Sequence, residues 1–250
     1  MNLILLHPHE LRNHRVELTG RRAQHIRKVL RCKPGDQVRV GVVDGWLGSG
    51  VITALSPDRV ELAVTLTGPP PPAPPTDLIL AVPRPIMLGR VLSQAASMGI
   101  GRIFLINANR VEKSFFNSSL MQSHEALTER LLLGLEQGID TRLPTLSVHP
   151  RFRPFLEDIL PPLLATSRPT SLLAHPGNHA GLGACCPPPL AGPAILAIGP
   201  EGGWVDFEVD RFTALGFKTF SLGPRILRVD TAVPALLSQL ALLRQLPARQ

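Results

Sequence analysis

Apolar and polar residues alternate at period two in four short runs of the first 64 residues: Arg15-Val16-Glu17-Leu18, Gln37 to Val43, Gly50 to Ala54, and Arg59 to Val64. Such alternation marks strands with one buried face, and Asp44-Gly45 supplies a turn after the second run. Between the first two runs the period changes to that of a helix, from about Arg21 to Arg31, with Thr19 as N-cap. Ile26, Val29 and Leu30 fall on one face of it, leaving Arg22 and Lys28 toward solvent. The pattern predicts a small β-barrel carrying a basic helix.

The chain then changes character. Gly68-Pro69-Pro70-Pro71-Pro72-Ala73-Pro74-Pro75 holds six prolines in eight residues, which cannot donate ladder hydrogen bonds and favour a stiff extended spacer. The expected organisation is a barrel over residues 1–67, a proline-rich linker over 68–76 and a second domain over 77–250. In that second domain the apolar runs are continuous: Asp77 to Val82, Arg102 to Ile106, Ser171 to Ala174, Ala194 to Ile198 and Thr219 to Leu222. Continuous runs suit strands buried on both faces. Helical stretches lie between them, from about Met87 to Met98 (stopped by Gly99), from His124 to Gln137 and from Thr231 to Gln245. The last is apolar nearly all round, so it is expected in its own core or against a second copy. Strand and helix in alternation predict an α/β fold with a parallel sheet.

Composition narrows the function. Of the 250 residues 44% are hydrophobic, enough for a sizeable core and against a disordered chain. No apolar run has the length of a membrane span, and the N-terminus lacks the basic start of a signal peptide, so a soluble, cytoplasmic protein without membrane attachment is expected. Cys32, Cys185 and Cys186 make neither a disulfide framework nor a zinc site, and no metal is expected. The net charge is +7, and 22 of the 26 cations are arginine. An arginine-favouring genome accounts for the excess but not for its placement. Residues 12–33 hold eight cations and one acid. A cluster of this kind points to a phosphate backbone, with Arg12, Arg15, Arg21, Arg22, Arg27, Lys28 and Arg31 as candidate RNA contacts.

Two loops could carry chemistry. Ile198-Gly199-Pro200-Glu201-Gly202-Gly203-Trp204 directly follows a buried strand, and three glycines around a proline and a carboxylate exceed what a turn needs. Glycine lets a ligand approach the backbone closely, and ligands bind at the carboxyl ends of strands in open parallel sheets. A tight turn before a helix capped by Asp206 is the alternative. Leu222-Gly223-Pro224-Arg225-Ile226-Leu227-Arg228 also lies between a strand and a helix. Arg225 and Arg228 there either hold phosphate or a base, or pair with Glu201 or Asp230. No nucleotide-binding glycine fingerprint, serine elbow or zinc-protease helix is present.

These two loops, at this separation, resemble the RsmE-type 16S ribosomal RNA (uracil-1498-N3)-methyltransferases of the SPOUT superfamily. The likeness runs nearly end to end: His25, Val29-Leu30-Arg31 and Gly35-Asp36 resemble the family's N-terminal part, and Gln94, Gly99-Ile100, Glu136-Gln137 and Leu173-Ala174-His175-Pro176 its intermediate motifs. The resemblance implies a C-terminal trefoil-knotted α/β domain with a parallel sheet, an N-terminal PUA-like β-barrel, a homodimer, and S-adenosyl-L-methionine as methyl donor. By the same resemblance the cofactor would be held by Leu173, Ala174, Ile198, Gly199, Pro200, Glu201, Gly202, Gly203, Leu222, Gly223, Arg225, Ile226 and Leu227. Arg225 and Arg228 would stabilise the uracil anion, and Glu201 would handle the proton or orient the target.

The implied activity is methyl transfer to N3 of a uridine in 16S ribosomal RNA of the small subunit. A methyltransferase acting on another RNA, such as tRNA, and an RNA-binding assembly protein without turnover are the alternatives. The chain departs from the family pattern at Met87, where lysine is usual, at Ser97-Met98 for Glu-Leu, at Val205 for Ser, at Ile139-Asp140 for Gly-Arg and at Val229-Asp230 for Thr-Glu.

Overall fold

The computed structural model describes residues 2–247. The chain divides into two units, one reaching to Ala73 and joined by Leu131–Leu143, the other formed by Pro74–Arg130 and the chain from Pro144 onward.

The first unit is a curled five-stranded sheet of β1 (Ile4–Leu6), β2 (Arg15–Leu18), β3 (Gln37–Val42), β4 (Leu47–Leu55) and β5 (Val60–Gly68), in the order β1-β3-β4-β5-β2. β1 runs parallel to β3, and the remaining pairs are antiparallel. The inward residues of the alternating runs, among them Val16, Leu18, Val38, Val40, Ile52 and Leu62, form its core. β1 escaped the period-two reading because its three residues are all buried.

The basic helix begins as expected but does not continue as an α-helix. α1 covers Gly20–Gln24, and His25–Val29 form a wider π-turn in which the Leu30 N–H donates to the His25 carbonyl at 3.0 Å. The widened turn changes which side chains face inward. Ile26 and Ala23 are buried, whereas Val29 is 65% exposed and Leu30 is also exposed. Arg22, expected in solvent, is half-buried instead. Thr19 occupies the N-cap position, but its side chain makes no capping hydrogen bond.

The second unit is an all-parallel six-stranded sheet: β6 (Thr76–Ala81), β7 (Arg102–Ile106), β8 (Thr145–His149), β9 (Thr170–Ala174), β10 (Ala194–Ile198) and β11 (Lys218–Phe220), in the order β11-β9-β10-β6-β7-β8. Every residue of β10 is buried, as its continuous apolar run requires. The edge strand β8 has no fully buried residue, and it was not anticipated for that reason. The helices that matter below are α2 (Pro85–Ser97), α3 (His124–Gly138), α4 (Leu160–Ser167), α5 (Asp206–Ala214) and α6 (Val229–Gln245). α6 packs against α2 and buries one stripe, from Val229 and Val233 to Leu240 and Leu243, while Leu242 on the other side is 52% exposed. Its apolar surround is therefore only partly covered. The α/β class, with a curled N-terminal sheet and a parallel C-terminal one, agrees with expectation, whereas residues 131–143, expected in the second domain, group with the first unit.

Candidate functional site

The parallel sheet itself makes the site. β9 lies between β11 and β10, so the loops leaving the carboxyl ends of these three strands stand side by side at one edge of the sheet, where ligands bind in such folds. Three such loops, with the start of α6, enclose a cavity of about 670 Å³ including its open mouth. Ala174 and His175 come from the end of β9, Ile198 to Glu201 with Gly203 and Trp204 from the end of β10, and Leu222, Gly223 and Arg225 to Leu227 from the end of β11. Val229, Ala232 and Leu236 of α6 close the apolar wall.

Eleven of the thirteen expected cofactor positions thus line one cavity. Leu173 does not, because it is fully buried within β9. Gly202 does not either; the Arg110 guanidinium donates to its carbonyl, and a Cβ there would meet Arg110 Cδ at 3.0 Å.

The glycines of the 199–203 loop have separate reasons. A Cβ on Gly199 would stand 3.0 Å from the Trp204 indole. Trp204 is itself held edge-on against Phe212, ring centroids 5.2 Å apart. Gly203 adopts φ +77° and donates its N–H to the Pro200 carbonyl at 2.8 Å, closing a tight turn. Gly223 in the opposite loop also has a positive φ, +104°, a conformation that favours glycine.

Beneath this loop lies a residue that the sequence reading passed over. Glu208 is 2% exposed, and its two oxygens accept the N–H groups of Val205 at 3.0 Å and Asn109 at 2.7 Å. It therefore ties the start of α5 to the loop after β7, the loop that carries Arg110. Asp206, expected as the cap, is instead the first helical residue, and Val205 holds the N-cap position. The carboxylate three residues past Val205 was the available signal, since a Glu at that spacing commonly caps the N-cap residue's N–H.

Four polar side chains face or border the cavity. Glu201 Oε1 accepts the Arg84 N–H at 3.1 Å, which links the 199–203 loop to the start of α2. His175 lines the cavity, and burial, with help from neighbouring His179, pushes its pKa below the ordinary histidine value. Its Nδ1 is buried without a hydrogen-bond partner among the described residues. The motif Leu173-Ala174-His175-Pro176 had marked the place, but not this side chain's part in it. Arg225 lines the cavity and its side chain has no ion pair among the described residues. Arg228 lies outside the lining; its guanidinium sits 3.6 Å from Asp230 and also points at the Met87 sulfur. Asp230 is shared with Arg90 at 3.3 Å, so of the two arginines only Arg228 is tied into a charge network. Apolar walls with a few converging polar groups and open backbone suit a flat heterocyclic ligand with polar ends.

The basic cluster of the first unit divides in two. Arg22 forms a two-pronged ion pair with Glu10 at 2.5 and 2.9 Å and also donates to the Leu5 carbonyl. Arg21 pairs with the buried Glu136 at 2.8 Å, and Arg27 donates to the Pro57 carbonyl. These three stabilise the unit's own fold. Arg12, Arg15, Lys28 and Arg31 are exposed and carry no ion pair among the described residues. No group of three or more His, Cys, Asp or Glu among the described residues is placed to hold a metal ion. No described helix is long and apolar enough to cross a membrane.

Comparison with known proteins agrees with this architecture. A model of an RNA methyltransferase domain matches residues 70–241, and one of an RNA methyltransferase PUA domain matches residues 18–65. The chain is 31% identical over 240 residues to the ribosomal RNA small subunit methyltransferase E of Treponema pallidum, covering 94% of this chain and 88% of the relative. It is 27% identical over 239 residues to the protein of the same name from Synechocystis sp., covering 95% and 76%. Among solved structures, a ribosomal RNA small subunit methyltransferase E from Neisseria gonorrhoeae bound to S-adenosyl methionine superposes with a TM-score of 0.76 at 22% identity, over 97% of this chain and 98% of that one.

Proposed function

Because the chain belongs to the RNA methyltransferase family, whose domain model spans residues 70–241, we propose that it transfers a methyl group from S-adenosyl-L-methionine to N3 of a uridine in 16S ribosomal RNA of the small subunit. The observation that carries this reading is the cavity at the carboxyl ends of β9, β10 and β11, where Gly199 has no room for a side chain and Gly203 and Gly223 adopt positive φ. The relatives named above support the substrate class.

The residues present fit such a cofactor. Backbone groups of Ala174, Ile198, Gly199, Gly203, Leu222, Ile226 and Leu227 would hold it, with His175 offering a buried imidazole nitrogen that has no hydrogen-bond partner among the described residues. When bound, the cofactor supplies a methyl group on a positively charged sulfur. What remains for the protein is positioning and charge. The two reactants must be held in line, which accounts for most of the rate such a reaction needs. The uracil N3–H must pass its proton to the Glu201 carboxylate or to solvent water before the nitrogen attacks, and a guanidinium beside the uracil oxygens stabilises the anion that results. Arg225 is free to do this, Arg228 would assist from the Asp230 network, and Glu201 would orient the target from the mouth of the cavity. Arg12, Arg15, Lys28 and Arg31 provide phosphate contacts on the first unit.

A homodimer belongs to the same reading. Ile86 and Ile226 are each 81% exposed, and with Leu227 and Leu242 they leave apolar surface on the second unit that a second copy would cover. A ribosomal substrate places the reaction in the cytoplasm.

The test is to incubate the protein with labelled S-adenosylmethionine and small ribosomal subunits from cells lacking the corresponding enzyme, then digest the RNA and identify the nucleoside by mass spectrometry. Label in N3-methyluridine is the expected result. Label in another nucleoside, or cofactor binding with label only in another RNA, would overturn the assignment of the target.

A further inference from the structure

The 199–204 loop has a second side. Past Trp204 the chain enters α5, and Val205, Phe207 and Glu208 border a groove with Asn109, Lys113 and Arg153, outside the cavity described above. Its centre is Phe207, an aromatic ring 39% exposed. The Arg153 guanidinium stands 5.0 Å from the ring centroid and that of Arg211, one turn further along α5, stands 5.1 Å from it. Phe152 packs beside the ring at 6.4 Å and joins it to the aromatic cluster of Trp204 and Phe212.

The folded chain alone gives little reason for this arrangement. Two guanidiniums around one ring repel each other, and an exposed cation–ring contact contributes only modestly. Neither Arg153 nor Arg211 has a carboxylate partner among the described residues. The acid in the groove, Glu208, is buried and already accepts two backbone N–H groups, so it does not neutralise them. A partner with a flat π-face for the ring and anionic charge for both guanidiniums satisfies all three groups. Single-stranded nucleic acid has these features, one base stacking on an aromatic side chain while the flanking phosphates take the cations.

We propose that the Arg153–Phe207–Arg211 surface grips the single-stranded RNA beside the target nucleotide, as a second RNA contact carried by the methyltransferase unit itself. The choice of RNA rests on the function proposed above. The groove adjoins the loop that bounds the cavity, and Arg110, from the same segment as Asn109 and Lys113, holds the Gly202 carbonyl of that loop. RNA held there would lie next to the loop that positions the cofactor.

The test uses the full chain and a fluorescein-labelled oligouridylate, with binding followed by anisotropy over a range of salt. The variants are the double substitution Arg153→Ala/Arg211→Ala, and Phe207→Leu with Phe207→Trp as its conservative partner. Removing both arginines should reduce the salt slope of log K by about 1.4, at roughly 0.7 for each phosphate contact to a single strand. Phe207→Leu should weaken binding roughly 5- to 150-fold, the loss of one stacked base, and Phe207→Trp should restore it. S-adenosylmethionine affinity should not change in any of them. Unaltered oligouridylate affinity and salt slope in the arginine double variant would overturn the proposal. The two failures are separable: wild-type protein that methylates small subunits alongside variants with unchanged RNA binding sinks only this surface. Loss of oligouridylate binding in variants of a protein that methylates nothing sinks only the reaction.

Discussion

Gly199 lies against the indole of Trp204, with room between them for a hydrogen atom but not for a methyl group: a Cβ at position 199 would stand 3.0 Å from both Cε2 and Nε1 of the ring. The indole cannot retreat easily, because it is 3% exposed and packed on Phe212. The first glycine of the loop is therefore needed for packing, and its carbonyl and N–H remain at the cavity wall as a consequence.

Gly199→Ala should accordingly cost about 1–3 kcal/mol as overpacking, divided between stability and ligand affinity. Calorimetry should show weaker S-adenosylmethionine binding together with a lowered Tm. Gly183→Ala, where an added Cβ meets nothing within 4 Å, should leave both unchanged. Equal behaviour of the two variants would show that the Gly199–Trp204 contact does not shape the cavity.

Glu208 is expected to act as a positioning residue rather than a catalytic one. Glu208→Ala removes the acceptor of two backbone N–H groups and should destabilise the protein by about 3 kcal/mol. Glu208→Gln keeps an acceptor oxygen and should recover much of this. Of the two readouts, chemical denaturation and cofactor affinity, both should follow the order wild type, Gln, Ala. Affinity falling with unchanged stability would instead indicate direct ligand contact.

The division of the arginine cluster is testable by charge reversal and by pH. The Arg22 guanidinium holds the Glu10 carboxyl at about 2, down from 4.5. A depressed carboxylate stabilises the fold above its unfolded value and loses that contribution as pH falls from 4.5 through about 2. Solvent screening of this partly exposed pair keeps the contribution at neutral pH to about 1–2 kcal/mol. Glu10→Gln should lower stability at neutral pH and converge with wild type in strong acid. Arg22→Glu should unfold the first unit more readily, whereas Lys28→Glu and Arg31→Glu should leave Tm alone and reduce RNA affinity and its salt dependence. A structural cost at Lys28, or none at Arg22, would reverse this division.

His175 and His149 both have pKa values lowered by burial. For a base, a lowered folded value means that the unfolded chain binds the proton more readily. Their contribution is then complete above the unfolded value of about 6.5 and declines as pH falls below it, toward the folded value. His175→Gln should flatten part of that decline. S-adenosylmethionine carries a net positive charge, so protonation of His175 should also weaken its binding in acid. Titration calorimetry at neutral and mildly acidic pH should show this loss in wild type and not in His175→Gln.

Much of the molecule is readable from local pattern. Period-two alternation located β2, β3, β4 and β5 to within a few residues, and continuous apolar runs located β6, β7, β9 and β10. Both signals are set by neighbours in the chain, because a strand's side chains alternate whatever it pairs with. The two glycine-bearing loops were visible for the same reason, as were their places after buried strands. The strands that were missed, β1 and β8, carry no alternation, being wholly buried in one case and half-exposed in the other, and the helix α4 was missed as well.

What the sequence by itself determined, then, was most of the strands, the α/β class and the two glycine-bearing loops after buried strands. Only the tertiary structure decided which of these meet. Placing β9 between β11 and β10 brings the ends of β9, β10 and β11 around one cavity. It also excludes Leu173, which the strand's pleat turns inward. Arg21 finds Glu136, 115 residues away, and is thereby tied into the first unit's own fold. Arg110 finds Gly202, 92 residues away, and Arg153 finds Phe207, across a shorter stretch of chain. A charge or an aromatic ring is the same letter whether it serves the fold or a ligand. Its role depends on which distant residue the sheet order sets beside it, and that order is fixed by burying the whole core at once rather than by any one segment.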